Sequence, residues 1–516
     1  MAHSKFRLWL VANRTSVRLA FALRLLAMAV SSVMSIVWTR LLVRTMGDAL
    51  YGLFVSFQSA SRLGGLGDFG VSVALAVRAG QLLGAKEETK LRTFLASSRT
   101  LMLALSLAVA LVFLILSPWL PHWLGFEDSP GAGSLIVLFS TGAAGIAVFM
   151  LAGYFHSLNF AYGTVAWPIL PSLVLSQGGL LGHWLLARAG APLWMQNASY
   201  LLSSLLTAFC VWLLLKASHP WLGEVWPLRA DRETWRNLAT ASIWTYLSSL
   251  GYAIYTSTDR LLINAGFGAA FVPRYTLNAK LCELAVQLIV SASFVSLPKI
   301  TQWLASPDAD DRARVTREAQ RLNLFQILLG TAAALGYLLV NDAFMRRWLG
   351  PEYVAPGLWQ FAFALNLVIT TGGDTGIQMA GRFGVQGLRN VGLAWAWTGL
   401  LNFMLSFGAM KLRWPAGIAF ATDLAQSALV FVLAWQACGH LKLSFGKWIV
   451  RSWFAPVLTL SLAFALRYFF LPQSWQNAAI LTASYLTLLV ILGVALGVTR
   501  ELFAQEWRIV RGILKI

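Results

Sequence analysis

Seven ionisable side chains lie inside otherwise apolar stretches of this 516-residue chain: Arg24, Arg62, Asp68, Lys280, Glu283, Asp374 and Asp423. A charge near the centre of a bilayer costs about 2.5–3.5 kcal/mol on insertion scales, so such a side chain faces a bundle interior or a watery cavity. A guanidinium or ammonium held there can bind a phosphate, Arg through a planar fork and Lys as a point charge. A carboxylate held there can carry a proton or bind Na⁺.

Each residue also has a structural alternative. The Arg24 stem is long enough to reach the cytoplasmic headgroups from the first helix, so its charge either snorkels or meets an anion. Arg62 sits near the middle of its expected helix, roughly 15 Å from either surface by helix rise, which leaves a ligand contact or an ion pair. Lys280 and Glu283 are three residues apart on one helix face; they either pair or present Lys280 to a ligand with Glu283 steering it. Asp374, in TTGGDTGIQMAG (370–381), and Asp423, in AFATDLAQSAL (419–429), are proton or cation sites or make interhelical hydrogen bonds. Asp259, at the end of the seventh expected helix, is read as interfacial. In SRLGGLGDFGVSVALAVR (61–78), Arg62 and Asp68 are about 240° apart on a regular helix. They face each other only if the glycines at 64, 65, 67 and 70 let the backbone bend; otherwise the glycines serve close helix packing.

The elements that hold these residues follow from composition. The chain is 58% hydrophobic and 12% charged, with mean hydropathy +0.66. A soluble domain carries about 25% charged residues. Apolar runs of bilayer-spanning length recur throughout, with no strand alternation, so the expected class is an all-α membrane protein of about 14 transmembrane helices. They are expected near 19–39, 51–77, 100–120, 134–155, 164–186, 193–215, 239–259, 275–297, 322–340, 356–379, 390–410, 416–436, 453–471 and 478–498.

The net charge of +19 is explained by basic cytoplasmic loops rather than by nucleic-acid binding. AKEETKLRTFLASSR (85–99) is basic, whereas PHWLGFEDSPGAGS (121–134) has no Lys or Arg. That asymmetry places both termini on the cytoplasmic side of an inner or plasma membrane, with an uncleaved first helix. Three scattered cysteines and six scattered histidines give no metal or redox spacing, so no metal or cofactor is expected. Short loops and the lack of a P-loop pattern argue against an ATPase or a membrane glycosyltransferase; no enzyme activity is expected.

Short strings recur about 220–225 residues apart: HWLG (122–125) with RWLG (347–350), and TRLLVRTMG (39–47) with DRLLINAGFG (259–268). The charged stretches 85–99 and 308–321 match as well. The pattern predicts a duplicated six-helix unit, 19–215 and 239–436, in parallel repeat about the membrane normal. A cytoplasmic N-terminus (1–18), a cytoplasmic linker (216–238) and two extra helices with a cytoplasmic tail (437–516) complete the organisation.

GDALYGLFVSFQSASRLGGLGDFGVSVALAVR (47–78) and STDRLLINAGFGAAFVPRYTLNAKL (257–281) resemble signatures of the polysaccharide-type (O-antigen and exopolysaccharide) flippases of the multidrug/oligosaccharidyl-lipid/polysaccharide exporter superfamily. WLG before PEY (348–353) and LPKI (297–300) fit the same family. The resemblance implies two six-helix bundles around a V-shaped cavity and alternating access for a polyprenyl-diphosphate-linked oligosaccharide. Arg24, Arg62 and Lys280 are then expected to bind the substrate, with Asp68, Glu283, Asp374 and Asp423 as ion-coupling or gating candidates. Expected partners are the lipid-linked oligosaccharide, membrane lipids and other polysaccharide-assembly membrane proteins. A cation-coupled drug exporter of the same superfamily and a non-transporting scaffold of a polysaccharide synthesis complex are the alternatives.

Overall fold

The computed structural model describes residues 17–64, 68–84, 87–123, 135–162, 168–218, 230–305, 309–470 and 475–497. Among these residues the chain is helical and contains no strand. That is the expected answer to hydrocarbon, where each backbone N–H and C=O must be satisfied within its own segment. Nine of the described helices are long and apolar enough to cross a membrane, and Ala479–Ala495 is a shorter apolar helix.

Contacts divide the chain into two compact units, Met1–Pro273 with Trp395–Pro415, and Arg274–Ala394 with Ala416–Ile516. The first contains α1 (Val17–Gly64), α2 (Val71–Gly84), α3 (Glu88–Leu116), α4 (Leu135–Ala161), α5 (Ile169–Arg188), α6 (Leu193–Ser218) and α7 (Arg232–Phe267). It also takes the C-terminal part of α11 (Gly384–Lys411). The second is built on α8 (Phe271–Ala305), α9 (Ala309–Trp348), α10 (Gly357–Ala380), α12 (Pro415–Leu441), α13 (Phe445–Phe469) and α14 (Trp475–Ala495).

In the first unit α4 packs against α3 and α6, and α7 packs against α1, α2 and α3. Its core includes Leu75, Leu95, Met102, Met150, Leu158 and Leu238. Small residues bring α5 and α6 together: the Ser199 hydroxyl donates to the Gly179 carbonyl at 3.1 Å and Ser203 donates to Leu175 at 2.5 Å. α7 starts at Asp231, whose carboxylate accepts from the Glu233 and Thr234 amides as an N-cap.

The expected helix over 51–77 is not continuous. α1 runs to Gly64, and α2 begins only at Val71. Phe69 (φ 51°) and Gly70 (φ 74°) are both left-handed, a conformation that ends a right-handed helix. The Asp68 carboxylate accepts the Gly70 N–H at 2.9 Å, the local bond by which aspartate stabilises a turn. A Cβ on Gly70 would lie 2.9 Å from the Thr245 hydroxyl and 3.0 Å from the Ser242 carbonyl oxygen. The glycine therefore serves both proposed purposes, a break in the helix and close approach to α7.

Gly47 and Gly268 close the two copies of the repeated string and share a left-handed backbone, φ 74° and 91°. At Gly47 the helix 1 to helix 2 connection is only a kink within α1. Neither glycine is crowded, so conformation and not space explains them.

In the second unit α9 packs along α10, while α13 lies on α9 and α10, and α14 on α13 and α9. A buried ion pair fixes this arrangement. Arg467 of α13 is 4% exposed and donates to Asp342 of α9 at 2.7 Å and to the Gln360 amide oxygen of α10 at 2.9 Å. α13 passes through one π turn at Val450–Phe454. Pro456 explains it: it has no N–H for the Ser452 carbonyl and its ring crowds that oxygen. Gly372 of α10 accommodates the displaced carbonyl, because a Cβ there would collide with it.

Two stability predictions follow from these contacts. Gly70→Ala should lower the detergent thermal midpoint more than Gly47→Ala, which pays only the cost of a positive φ with extended ψ, about 1–3 kcal/mol; equal losses would contradict the close approach to α7. Arg467→Met should cost less than the about 3–5 kcal/mol of breaking a fully buried pair, because Asp342 is 28% exposed and keeps its Gln360 donor, and adding Asp342→Leu should recover much of the loss. A double variant as unstable as the single one would show that the pair is not what holds α13.

Candidate functional site

The candidate residues divide between the two units. Arg24, Arg62 and Asp68 belong to the first, and Lys280, Glu283, Asp374 and Asp423 to the second. Arg24 lies on the second turn of α1 and is exposed. Arg62 lies in the last turn of α1 and not mid-helix, and its side chain is outside the described residues. Asp68 stands in the break after α1 and holds the Gly70 amide.

α8 carries the second group. It begins with Arg274, Tyr275 and Asn278, which the sequence marks only as part of the RYTLNAKL string. The Arg274 guanidinium donates to the Glu352 carbonyl at 2.6 Å, and the Asn278 amide donates to the Tyr353 carbonyl at 2.7 Å. Asn341 donates to the Asn278 side-chain oxygen at 3.1 Å, and Tyr337 to its carbonyl at 2.9 Å. The RYTLNAKL and PEY strings are thus two halves of one contact that anchors α8 to the end of α9. Similarly, Gly52 of the first string meets the Ala269 carbonyl of the second.

Beyond this anchor, Lys280 and Glu283 are both half-buried on α8, one turn apart. Between them Cys282 is 5% exposed, with Glu283 and Asp423 of α12 near enough to act on its thiol electrostatically. Asp423 is itself 3% exposed. Lys280, Glu283 and Asp423 thus belong to one compact unit, the first two on α8 and the third on α12.

Asp374 of α10 belongs to a different cluster. Gln326 of α9 donates to one carboxyl oxygen at 2.8 Å, Gln378 donates to the other at 3.3 Å, and the Thr375 hydroxyl donates to Gln326 at 2.6 Å. This interhelical network joins α9 to α10.

Asp259 is not at the end of its helix: α7 extends to Phe267, and Asp259 is buried within it. Asn402 and Ser406 of α11 each donate to its Oδ1 at 3.4 Å. Gly251 and Gly399 face each other two turns earlier on the same helix pair, which lets α7 and α11 approach closely enough for these bonds. The Asp259 carboxylate thus accepts from an amide NH2 and a hydroxyl of α11. The signal in the sequence was the DRLL string itself, read as a loop boundary.

Comparison with known proteins gives the following. A MatE family model matches residues 24–164, less than a third of the chain. No curated protein matches. Among solved structures, the lipid II flippase MurJ in an inward closed conformation superposes with TM-score 0.64 at 16% identity, covering 91% of this chain and 97% of its own. An inward-facing multidrug resistance MATE family transporter of the MOP superfamily gives TM-score 0.57 at 14% identity, covering 84% of this chain and 96% of its own. A MOP superfamily transporter from Pyrococcus furiosus, described as having a binding pocket of reversed polarity, gives 0.51 at 14% identity. At these identities the likeness is one of fold: the chain has the all-helical MATE/MurJ membrane fold.

Proposed function

We propose that this protein is an alternating-access flippase that moves a polyprenyl-diphosphate-linked oligosaccharide across the inner membrane for surface polysaccharide synthesis. The observation behind this choice is the similarity to the lipid II flippase MurJ, which superposes over 91% of this chain with TM-score 0.64, against 84% and 0.57 for the multidrug transporter. Fold alone does not assign function. Arg24, Arg62 and Lys280, the cations that the sequence places in apolar stretches, add the chemistry a diphosphate needs. On this reading the two six-helix repeats, 19–215 and 239–436, are the elements that alternate, and the basic loops keep both termini cytoplasmic.

Moving an anionic head outward is assisted by an inside-negative potential, by about 2.3 kcal/mol per charge per 100 mV. Coupling to H⁺ or Na⁺ would fall to Glu283, Asp423, Asp374, Asp259 or Asp68.

The MatE match over 24–164 and the buried carboxylates favour a second reading, a cation-coupled exporter of organic cations. Deletion and complementation separate the two. Loss of surface polysaccharide with accumulation of a lipid-linked intermediate supports flipping; drug hypersensitivity with normal polysaccharide refutes it. In the complementing strain, Arg62→Ala and Lys280→Ala should abolish polysaccharide export at normal membrane abundance, and Arg62→Lys should retain part of it. Normal export by both alanine variants would refute the cation assignment.

A second prediction concerns coupling. Asp259→Asn, Glu283→Gln and Asp423→Asn, each in reconstituted vesicles, should include at least one variant that transports under a membrane potential but gains nothing from an imposed H⁺ or Na⁺ gradient. If all three keep the gradient response of the parent, these carboxylates do not couple transport.

A further inference from the structure

At one end of the second unit lies a cavity of about 750 Å³ that none of the candidate transport residues lines. Its wall is basic. Arg314, Arg317 and Arg321 project from α9 at spacings of three and four, which puts them on one face. Lys447 and Arg451 come from the first turns of α13 at the same helical spacing. Glu318 is the sole carboxylate among the lining residues. Arg314 is matched by Asp311 at 2.9 Å and Arg321 by Glu318 at 3.6 Å. Arg317, Lys447 and Arg451 make no ion pair among the described residues.

The floor is apolar. Leu324 and Ile327 of α9 pack with Leu496 beyond the end of α14, and Trp303, Leu443 and Trp448 complete it. The cavity has a fixed frame. Asn323 of α9 donates to the Ser452 hydroxyl at 2.7 Å, tying the basic face of α9 to the π turn that carries Arg451. The Ser444 side chain accepts the Lys447 amide at the start of α13.

We propose that this cavity binds the phosphate-bearing headgroup of an anionic membrane lipid that is not the transported cargo. Three observations converge. The wall carries a surplus of positive charge, and Arg317, Lys447 and Arg451 are exposed cations with no acidic partner among the described residues. The apolar floor with two tryptophans is suited to the glycerol and upper acyl region of a lipid, not to a free ion. The lining comes from the ends of membrane helices that the basic-loop asymmetry places at the cytoplasmic leaflet, where anionic lipids collect and basic pockets hold their headgroups. Because the site joins α9, α13 and α14, a bound headgroup would brace the two C-terminal helices against α9.

The test uses the purified full-length protein in neutral detergent and follows its thermal midpoint. Short-chain dioctanoyl phosphatidylglycerol should raise the midpoint by several degrees, as expected for a ligand that binds only the folded state. Dioctanoyl phosphatidylcholine and inorganic phosphate at matched ionic strength should leave it unchanged. The Lys447→Ala, Arg451→Ala double variant should keep its own midpoint near the parent's and lose the shift. Arg317→Gln, whose exposed guanidinium bonds only its own helix at Ala313, should reduce the shift should the double variant be unstable. An equal shift with phosphatidylcholine, an equal shift with phosphate alone, or a full shift in the tested variant would each overturn the proposal. None of these readouts depends on what the protein transports.

Discussion

The constraint on which this structure depends is that an ionisable group inside an apolar helix must find its partner within the protein. The described interior meets it in three ways. Arg467 and Asp342 neutralise each other, with Gln360 completing the set. Asp374 is held by amide donors from Gln326 and Gln378. Asp259 is met by Asn402 and Ser406. Each solution joins two or three helices, so the polar groups set which helix faces meet, a role that apolar contacts in hydrocarbon perform weakly.

Glycine supplies the complementary half of the packing. Gly251 against Gly399, Gly372 against Ser452 and Gly70 against Thr245 are all positions where a Cβ would force the helices apart. The polar bonds of α7 with α11 and of α10 with α9 and α13 form where such approaches occur. Loss of a glycine and loss of a polar partner should therefore damage the same helix pairs.

Helix identity and order were legible because they depend on hydropathy, but lengths were not: α7, α8 and α9 run well beyond the expected 239–259, 275–297 and 322–340. TRLLVRTMG and DRLLINAGFG both end on a glycine of positive φ. The break before α2 was not legible, since nothing in Phe69 announces φ 51° and only the contact with α7 explains Gly70. Arg467 escaped notice because its partner is 125 residues away and its burial depends on α13 docking between α9 and α10. Asp259 was misplaced because α7 runs further than its apolar window. Of the candidate site, the sequence identified the charges, but which carboxylates are bound up in structural bonds, as Asp68 and Asp374 are, depends on tertiary contacts.

On the proposed reading Lys280 of α8 meets the anionic head, while Glu283 of α8 and Asp423 of α12 answer a gradient. The direct test is reconstitution of the purified protein into vesicles carrying a polyprenyl-diphosphate oligosaccharide in one leaflet, following exposure of its sugar on the other side with a lectin. The account predicts protein-dependent appearance of the sugar, faster under a potential that draws the anionic head across and lost in Lys280→Ala. No translocation above protein-free vesicles, together with gradient-driven uptake of an organic cation by the same preparation, would contradict it.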